Sequence, residues 1–289
     1  MSLKKISPPK LVNPKLRKAN QLIHVDAREI GLAERKLYNV LLYHAVQSGV
    51  EDEYYSIPVS RIRTYLSLKG DDSRTIEQAV TRLQKTIVQG NLLSKIGDDI
   101  WESVQMLGYA RLESGLLLYS IPREIKPLLF SPQVFSVIRL AVASLFKSKY
   151  SLALYENCYR FLKVHSTGWI ELDKWRQLLG VPSDARLYSG FAMLNARVFK
   201  PAIEEVNKLS DIVIEMRVDR RLGTNAVSHI AFSIEGKNQF ALPFTPMEQG
   251  NLPGIDAWKA SSGAMRETIR KLVEKGVLPA EKFQHVTKA

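Results

Sequence analysis

Between Leu32 and Gln47 the apolar residues Leu32, Leu37, Val40, Leu41 and Ala45 recur at helical spacing, with Arg35 and Lys36 off that face. The pattern predicts an amphipathic helix. Tyr54 to Ile57 is a short aromatic and β-branched run, expected as a strand, and a second helix is expected near Ser60 to Ser67, ended by Gly70 and two aspartates. Ser73 is placed to cap a third helix. Along that helix Ile76, Val80, Leu83 and Ile87 stand at i, i+4, i+7 and i+11, a stripe that would face a core. After Gly90 come two strand-like runs, Ile100 to Ala110 and Leu116 to Ile121, parted by Glu113-Ser114-Gly115, which has the composition of a hairpin loop.

The same order then returns without obvious sequence identity. Val134 to Val142 predicts a strand and Ser148 to His165 a long helix with Leu152, Tyr155, Cys158, Tyr159 and Leu162 on one face. Trp169 to Leu172 is a short extended piece, and Leu172 to Leu179 a helix with Trp175 and Leu179 buried and Gly180 as its stop. Beyond the Pro182 to Arg186 turn, Phe191, Leu194, Val198, Ala202, Val206 and Leu209 mark another helix, which Pro201 is expected to kink or break. Ile212 to Val218 and Ile230 to Ile234 alternate about a turn at Arg220 to Asn225. Helix, short strand, two helices and a hairpin describe a winged helix. The expected fold is therefore α+β: tandem winged-helix domains, each a helix-turn-helix with a β-hairpin wing, and a C-terminal tail with a short helix from about Gly263 to Lys275. The expected divisions are a basic N-terminal arm over 1–20, a first domain over 21–130, a second over 131–236, and a linker with helical tail over 237–289.

A chain of 289 residues, 45% hydrophobic, is long enough for two domains with separate cores. Its apolar runs are too short for a membrane span, the basic, proline-containing first twenty residues do not have the form of a signal peptide, and a cytoplasmic location is expected. The single cysteine, Cys158, excludes an intrachain disulfide or a multi-thiolate zinc site, and is expected in a core. The net charge of +12 favours a polyanionic partner. Its distribution is uneven: residues 1–20 hold six Lys or Arg and no acid, 21–130 hold 13 against 14, 131–236 hold 14 against 10, and 237–289 hold 8 against 5. The first globular half is close to neutral, so the second is the better candidate for reading a polyanion.

Catalytic chemistry has little footing here. A metal-dependent nickase needs paired histidines beside a nucleophilic tyrosine, whereas the five histidines, His24, His44, His165, His229 and His285, are never closer than 20 residues. No phosphate-cradling glycine loop, nucleophile elbow or C-x-x-C is present. No enzyme activity, metal or cofactor is expected. With Phe191, Leu194 and Val198 inward, Met193, Arg197, Lys200 and Glu204 fall on the outward face of the helix after the second turn, which could enter a major groove. Candidate base readers are Arg197, Asn195, Met193 and Ser189, because an arginine there can grip guanine O6 and N7 with two donors. Candidate phosphate and wing contacts are Lys200, Arg220, Arg221 and Arg186. In the arm, Lys15, Arg17 and Lys18 could track phosphates.

The segments Ser148-Lys149-Tyr150-Ser151-Leu152-Ala153-Leu154-Tyr155-Glu156, Trp175 with Leu179-Gly180-Val181, and Val198-Phe199-Lys200-Pro201-Ala202-Ile203-Glu204-Glu205-Val206-Asn207 resemble, in this order, the Rep_3 plasmid replication initiators. The resemblance spans about residues 20–236. It implies a monomer that binds repeated origin sites, iterons, through both winged helices, and a homodimer, in equilibrium with it, that represses its own promoter. It also implies contact with the host initiator and replicative helicase, and base reading mostly by the second domain. Members often carry several arginines before the Val-Phe-Lys-Pro stretch, where this chain has Asn195, Ala196 and Arg197. Pro201 matches a proline common in that family. Two other functions compete with this one: a dimeric transcription repressor without initiator activity, and an origin-nicking enzyme.

Overall fold

The computed structural model describes residues 14–23, 28, 30–49, 52–68, 73–90, 102–182, 188, 190–220, 226–237 and 270. Lys15–Pro243 form one compact unit. A second unit comprises Met1–Pro14 and Phe244–Ala289, of which Pro14 and Arg270 are described. The expected linker and tail helix lie outside the described residues, Lys237 and Arg270 apart. Among the described residues no helix is long and apolar enough to cross a membrane.

The described elements begin with β1 (Lys15–Ala19) and α1 (Asn20–Ile23), followed by α2 (Leu32–Ser48), β2 (Tyr55–Pro58), α3 (Val59–Leu66) and α4 (Arg74–Lys85). β3 (Ile87–Gly90), β4 (Glu102–Gln105), β5 (Ala110–Glu113), β6 (Leu116–Tyr119) and α5 (Lys126–Phe130) complete the first winged helix. Its sheet has the order β2-β6-β5, and β3 pairs separately with β4. The β5–β6 turn is Ser114-Gly115, both at positive φ (51° and 75°), the backbone twist that a two-residue hairpin requires.

Four expectations for this half are corrected. Residues 15–19 are not an arm: β1 pairs antiparallel with β7 (Phe135–Arg139), from Lys15↔Arg139 to Ala19↔Phe135. Ile87 does not continue the α4 stripe. Thr86 leaves the helix in extended backbone, so Ile87 opens β3 and is 46% exposed, while Val88 takes the buried place. Ser73 makes no side-chain cap: its backbone is already helical, and its Oγ accepts from Arg63 Nη2 at 3.2 Å. Arg35 and Lys36 are not on an outer face but buried, because α2 is a central helix packed against α3, α4, β1, α6 (Leu140–Leu145) and α7 (Lys149–Tyr159).

The predicted strand Val134 to Val142 divides into β7 and α6. The predicted long helix stops as α7 at Tyr159, and the chain turns on to His165 at φ 60°. Ser148 caps α7, accepting from Tyr150 N at 3.2 Å. Leu152, Tyr155 and Cys158 are buried as expected, and burial pushes the Cys158 thiol up. β8 (Ile170–Glu171), α8 (Leu172–Leu179), α9 (Phe191–Leu194), α10 (Lys200–Leu209), β9 (Ile212–Arg220) and β10 (Val227–Gly236) complete the second winged helix, with sheet order β8-β10-β9. The tandem winged-helix expectation holds.

Candidate nucleic-acid interface

α8 is the fixed half of the second helix-turn-helix. Trp175 is buried from its inner face, donates Nε1–H to the Ile230 carbonyl at 3.1 Å, and meets Phe232 edge-on with ring centroids 5.0 Å apart. Gly180 stops the helix in the left-handed region (φ 71°), where its N–H reaches Gln177 O and the next N–H reaches Arg176 O. Lys149 Nζ, lowered by burial first and then by Arg35, donates to the Gly180 carbonyl at 2.8 Å and ties the turn to α7. Tyr150 lies near the same turn; burial, and next its neighbour Tyr188, push it up to about 12.

The helix that follows is continuous in direction but not in hydrogen bonding. Between α9 and α10, Asn195–Phe199 form a π turn in which Lys200 N–H donates to Asn195 O, five residues back. Pro201 explains it. A proline has no N–H to give the carbonyl four residues earlier, that of Arg197, and its ring would strike it. Widening the turn by one residue moves the carbonyl aside. Pro201 thus bulges the helix without breaking it. The wider turn buries two successive residues, Val198 and Phe199, and the Phe199 ring lies 6.3 Å from that of Phe232. Leu194, Ala202 and Val206 continue the buried face.

On the opposite side Met193, Ala196, Arg197, Lys200, Pro201 and Glu204 are exposed, Met193 at 41%, and Asn195 is half-buried. Arg197 and Lys200 make no ion pair with any described residue. The outward face expected from the periodicity is present. Ser189, Arg186 and Arg221 lie outside the described residues. Arg220, the last described residue of β9 before the hairpin tip, is exposed.

β9 and β10 outrun the core. Ile212 and Ile214 are buried, but Arg217, Val218, Asp219 and Arg220 are all exposed, so the distal half of the hairpin projects as the wing. Its base is held by a residue that sequence reasoning did not single out. Asn207, near the end of α10, donates Nδ2–H to Ile214 O at 3.0 Å and accepts from Ile214 N at 2.8 Å. Lys237 Nζ donates to the Asn207 carbonyl and, at 2.7 Å, to the Ser210 carbonyl. These bonds tie the end of α10 to the base of the hairpin. Asp211 was missed as well: it pairs with Arg139 at 2.9 Å and accepts from Tyr155 and Tyr159 at 3.3 and 3.1 Å. A short polar residue closing a helix was the only sign of either.

In the first winged helix α4 presents Arg74, Glu77, Gln78, Thr81, Arg82 and Lys85 outward, with Arg82 paired to Glu34 of α2 at 2.9 Å. Of the arm candidates, Lys15 and Arg17 point outward, and the Arg17 guanidinium lies 3.9 Å from the Phe135 ring centroid. Lys18 is corrected. It is 2% exposed and bonded to Asn39 and Glu156, so it cannot reach a phosphate. Among the described residues no group of three or more His, Cys, Asp or Glu could hold a metal ion.

Two helix-turn-helix units, each with a hairpin, one with a basic outward helix and a projecting wing, define a tandem winged-helix DNA-binding protein. Family models agree and are more specific: the first winged helix of the initiator replication proteins matches residues 15–159, and the second winged helix of the initiator Rep proteins matches residues 171–234. The chain belongs to this family of replication initiators. Its fold is similar to the crystal structure of Pi initiator protein in complex with iteron DNA, with TM-score 0.62 and 17% identity over 78% of this chain and 99% of that one. No curated protein matches the chain.

Proposed function

We propose that this protein starts plasmid replication by binding repeated origin sequences, iterons, and acts by binding without making or breaking covalent bonds. The observation that carries this is the exposed face of the π-bulged helix, Met193, Arg197 and Lys200, fixed to a projecting wing by Asn207. Arg197, with Asn195, Met193 and Ser189, reads base edges; Lys200, Arg220, Arg221 and Arg186 meet phosphates. Lys15 and Arg17 add backbone contact from β1. That the similar Pi initiator was crystallised on iteron DNA supports the substrate class.

In this reading the monomer engages direct repeats, opens the adjoining duplex and recruits the host initiator and replicative helicase in the cytoplasm, while a homodimer formed through the first domain represses the protein's own promoter. The test is transformation with a plasmid whose only origin is the DNA cloned beside this gene, with the protein supplied in trans. Replication dependent on the protein supports the proposal. Binding to a single palindrome with no replication would leave a repressor instead, and nicking of supercoiled origin DNA with Mg²⁺ or Mn²⁺ would contradict action by binding.

A further inference from the structure

Glu156 lies on α7, the helix that packs against α8 and α10 of the second winged helix, with none of its surface exposed, and its partners come from β1 and α2 at the start of the chain's first winged helix. Lys18 Nζ of β1 donates to Oε2 at 3.2 Å, Arg35 Nη1 of α2 to the same oxygen at 3.0 Å, and Asn39 Nδ2 of α2 to Oε1 at 2.6 Å. Lys18 also donates to Asn39 Oδ1 at 2.9 Å, which closes the cluster. Burial by itself would raise the Glu156 carboxyl, but the charges of Lys18 and Arg35 hold it below its ordinary value. Burial lowers Lys18, with Glu156 opposing.

The two helices that share this cluster are also those on which the two outward helices rest. α4 packs on α2, and α10 packs on α7. The line α4, α2, Glu156, α7, α10 therefore runs from one recognition helix to the other. A buried ion pair adds little net stability against an apolar contact of the same shape, but removing one partner strands a charge. It is also selective in geometry. Apolar side chains can slide past one another at small cost, whereas only one placement of α2 against α7 keeps all three donors within reach of one carboxylate.

We infer that Glu156 is a positioning residue for DNA recognition: it fixes the angle between the two winged helices, and so the spacing of the two DNA segments they can engage together. This rests on the reading that both winged helices bind duplex DNA. Two linked modules gain affinity from simultaneous engagement and lose that gain when geometry forbids it.

The experiment measures binding of the full chain, wild type and Glu156→Gln, to duplex DNA selected by the wild type from random sequence. The same DNA is also made with about five base pairs, half a helical turn, inserted between the two protected segments. Wild type is expected to bind the inserted DNA about 100-fold more weakly than the native spacing. Glu156→Gln is expected to bind the native spacing more weakly yet to distinguish the two DNAs by less than about tenfold, since a loosened junction forfeits part of the linkage. Equal losses on both DNAs, leaving the wild-type ratio intact, would overturn the inference and leave Glu156 a matter of stability alone. If Glu156→Gln does not fold, Lys18→Met removes one donor and leaves Arg35 and Glu156 paired one to one. It should relax the ratio in the same direction by a smaller factor, and an unchanged ratio overturns the inference. Failure of the wild type to select any sequence would instead overturn the DNA-binding reading, whatever the variants do.

Discussion

Asn207 grips the backbone of Ile214 at both its polar groups, giving a hydrogen bond to the carbonyl at 3.0 Å and taking one from the amide at 2.8 Å. The side chain bridges the last turn of α10 and β9, the first strand of the hairpin, so a shift of α10 would carry the base of the hairpin with it. Asn207→Ala removes both bonds. The expected cost is about 1 to 3 kcal/mol of stability, read by denaturant unfolding, together with weaker binding to cognate and random DNA alike. An unchanged unfolding midpoint would mean that Ile214 finds equivalent partners.

The wing itself supplies affinity with little sequence information if Arg220 and Arg221 meet phosphates. Replacing both by alanine should weaken binding to all duplexes and flatten the dependence of log Kd on log salt by about 0.9 for each phosphate left without its arginine. A salt slope equal to that of the wild type would remove the wing from the DNA.

Pro201 sets the phase of the helix that carries Met193, Arg197 and Lys200. Pro201→Ala returns an N–H to the position facing the Arg197 carbonyl, and the π turn should close to ordinary α geometry. Closing the bulge rotates Met193 and Asn195 by about 100° relative to α10. Cognate binding should fall by about tenfold or more while the fold is retained, since one base contact is worth that much. A crystal structure of the variant showing the π turn intact would contradict this account of the bulge.

His44 makes the first winged helix sensitive to acid. Its Nδ1 lies 3.0 Å from the Tyr119 hydroxyl, whose proton goes to the Leu41 carbonyl at 2.7 Å, so Nδ1 carries the hydrogen. Burial, and then the charge of Arg61, lower its pKa from 6.5 to about 3. A depressed pKa gives stability that is complete above the unfolded value of 6.5 and lost as pH falls toward 3. In that window the unfolded chain binds one more proton than the folded one, a slope of about 1.4 kcal/mol per pH unit. His44→Asn keeps a donor near Nδ1 and does not titrate. Its stability, followed by denaturation between pH 6 and pH 4, should fall less steeply than that of the wild type by up to that amount, and equal slopes would mean that His44 is not held neutral.

Local signals in the sequence are legible and long-range ones are not, for a physical reason. Gly180 at the end of α8, Ser114-Gly115 in the hairpin and the outward face at Met193, Arg197 and Lys200 each follow from a few neighbouring residues. Lys18, Arg35 and Lys36 look like surface charges in any local window. They are buried because Glu156 and the Ser144 carbonyl, more than a hundred residues away, receive them. Ile87 keeps the helical period while the backbone changes to strand at Thr86, which spacing alone does not reveal. The effect of Pro201 is half legible: the missing N–H follows from the sequence, but whether a helix breaks or bulges depends on the packing of Val198 and Phe199. Asn207 stands at the end of a segment recognised by resemblance, with nothing local to mark its partner.

The central claim is that the exposed side of the π-bulged helix reads bases through Arg197. Equilibrium binding at one fixed salt concentration, wild type beside Arg197→Ala, on cognate and on random duplexes of equal length, tests it most directly. The variant should lose about 1 to 3 kcal/mol, roughly fivefold to 150-fold, on the cognate duplex, with little change on the random one. Equal losses on the two duplexes would show that Arg197 meets only the phosphate backbone and that specificity resides elsewhere in the molecule.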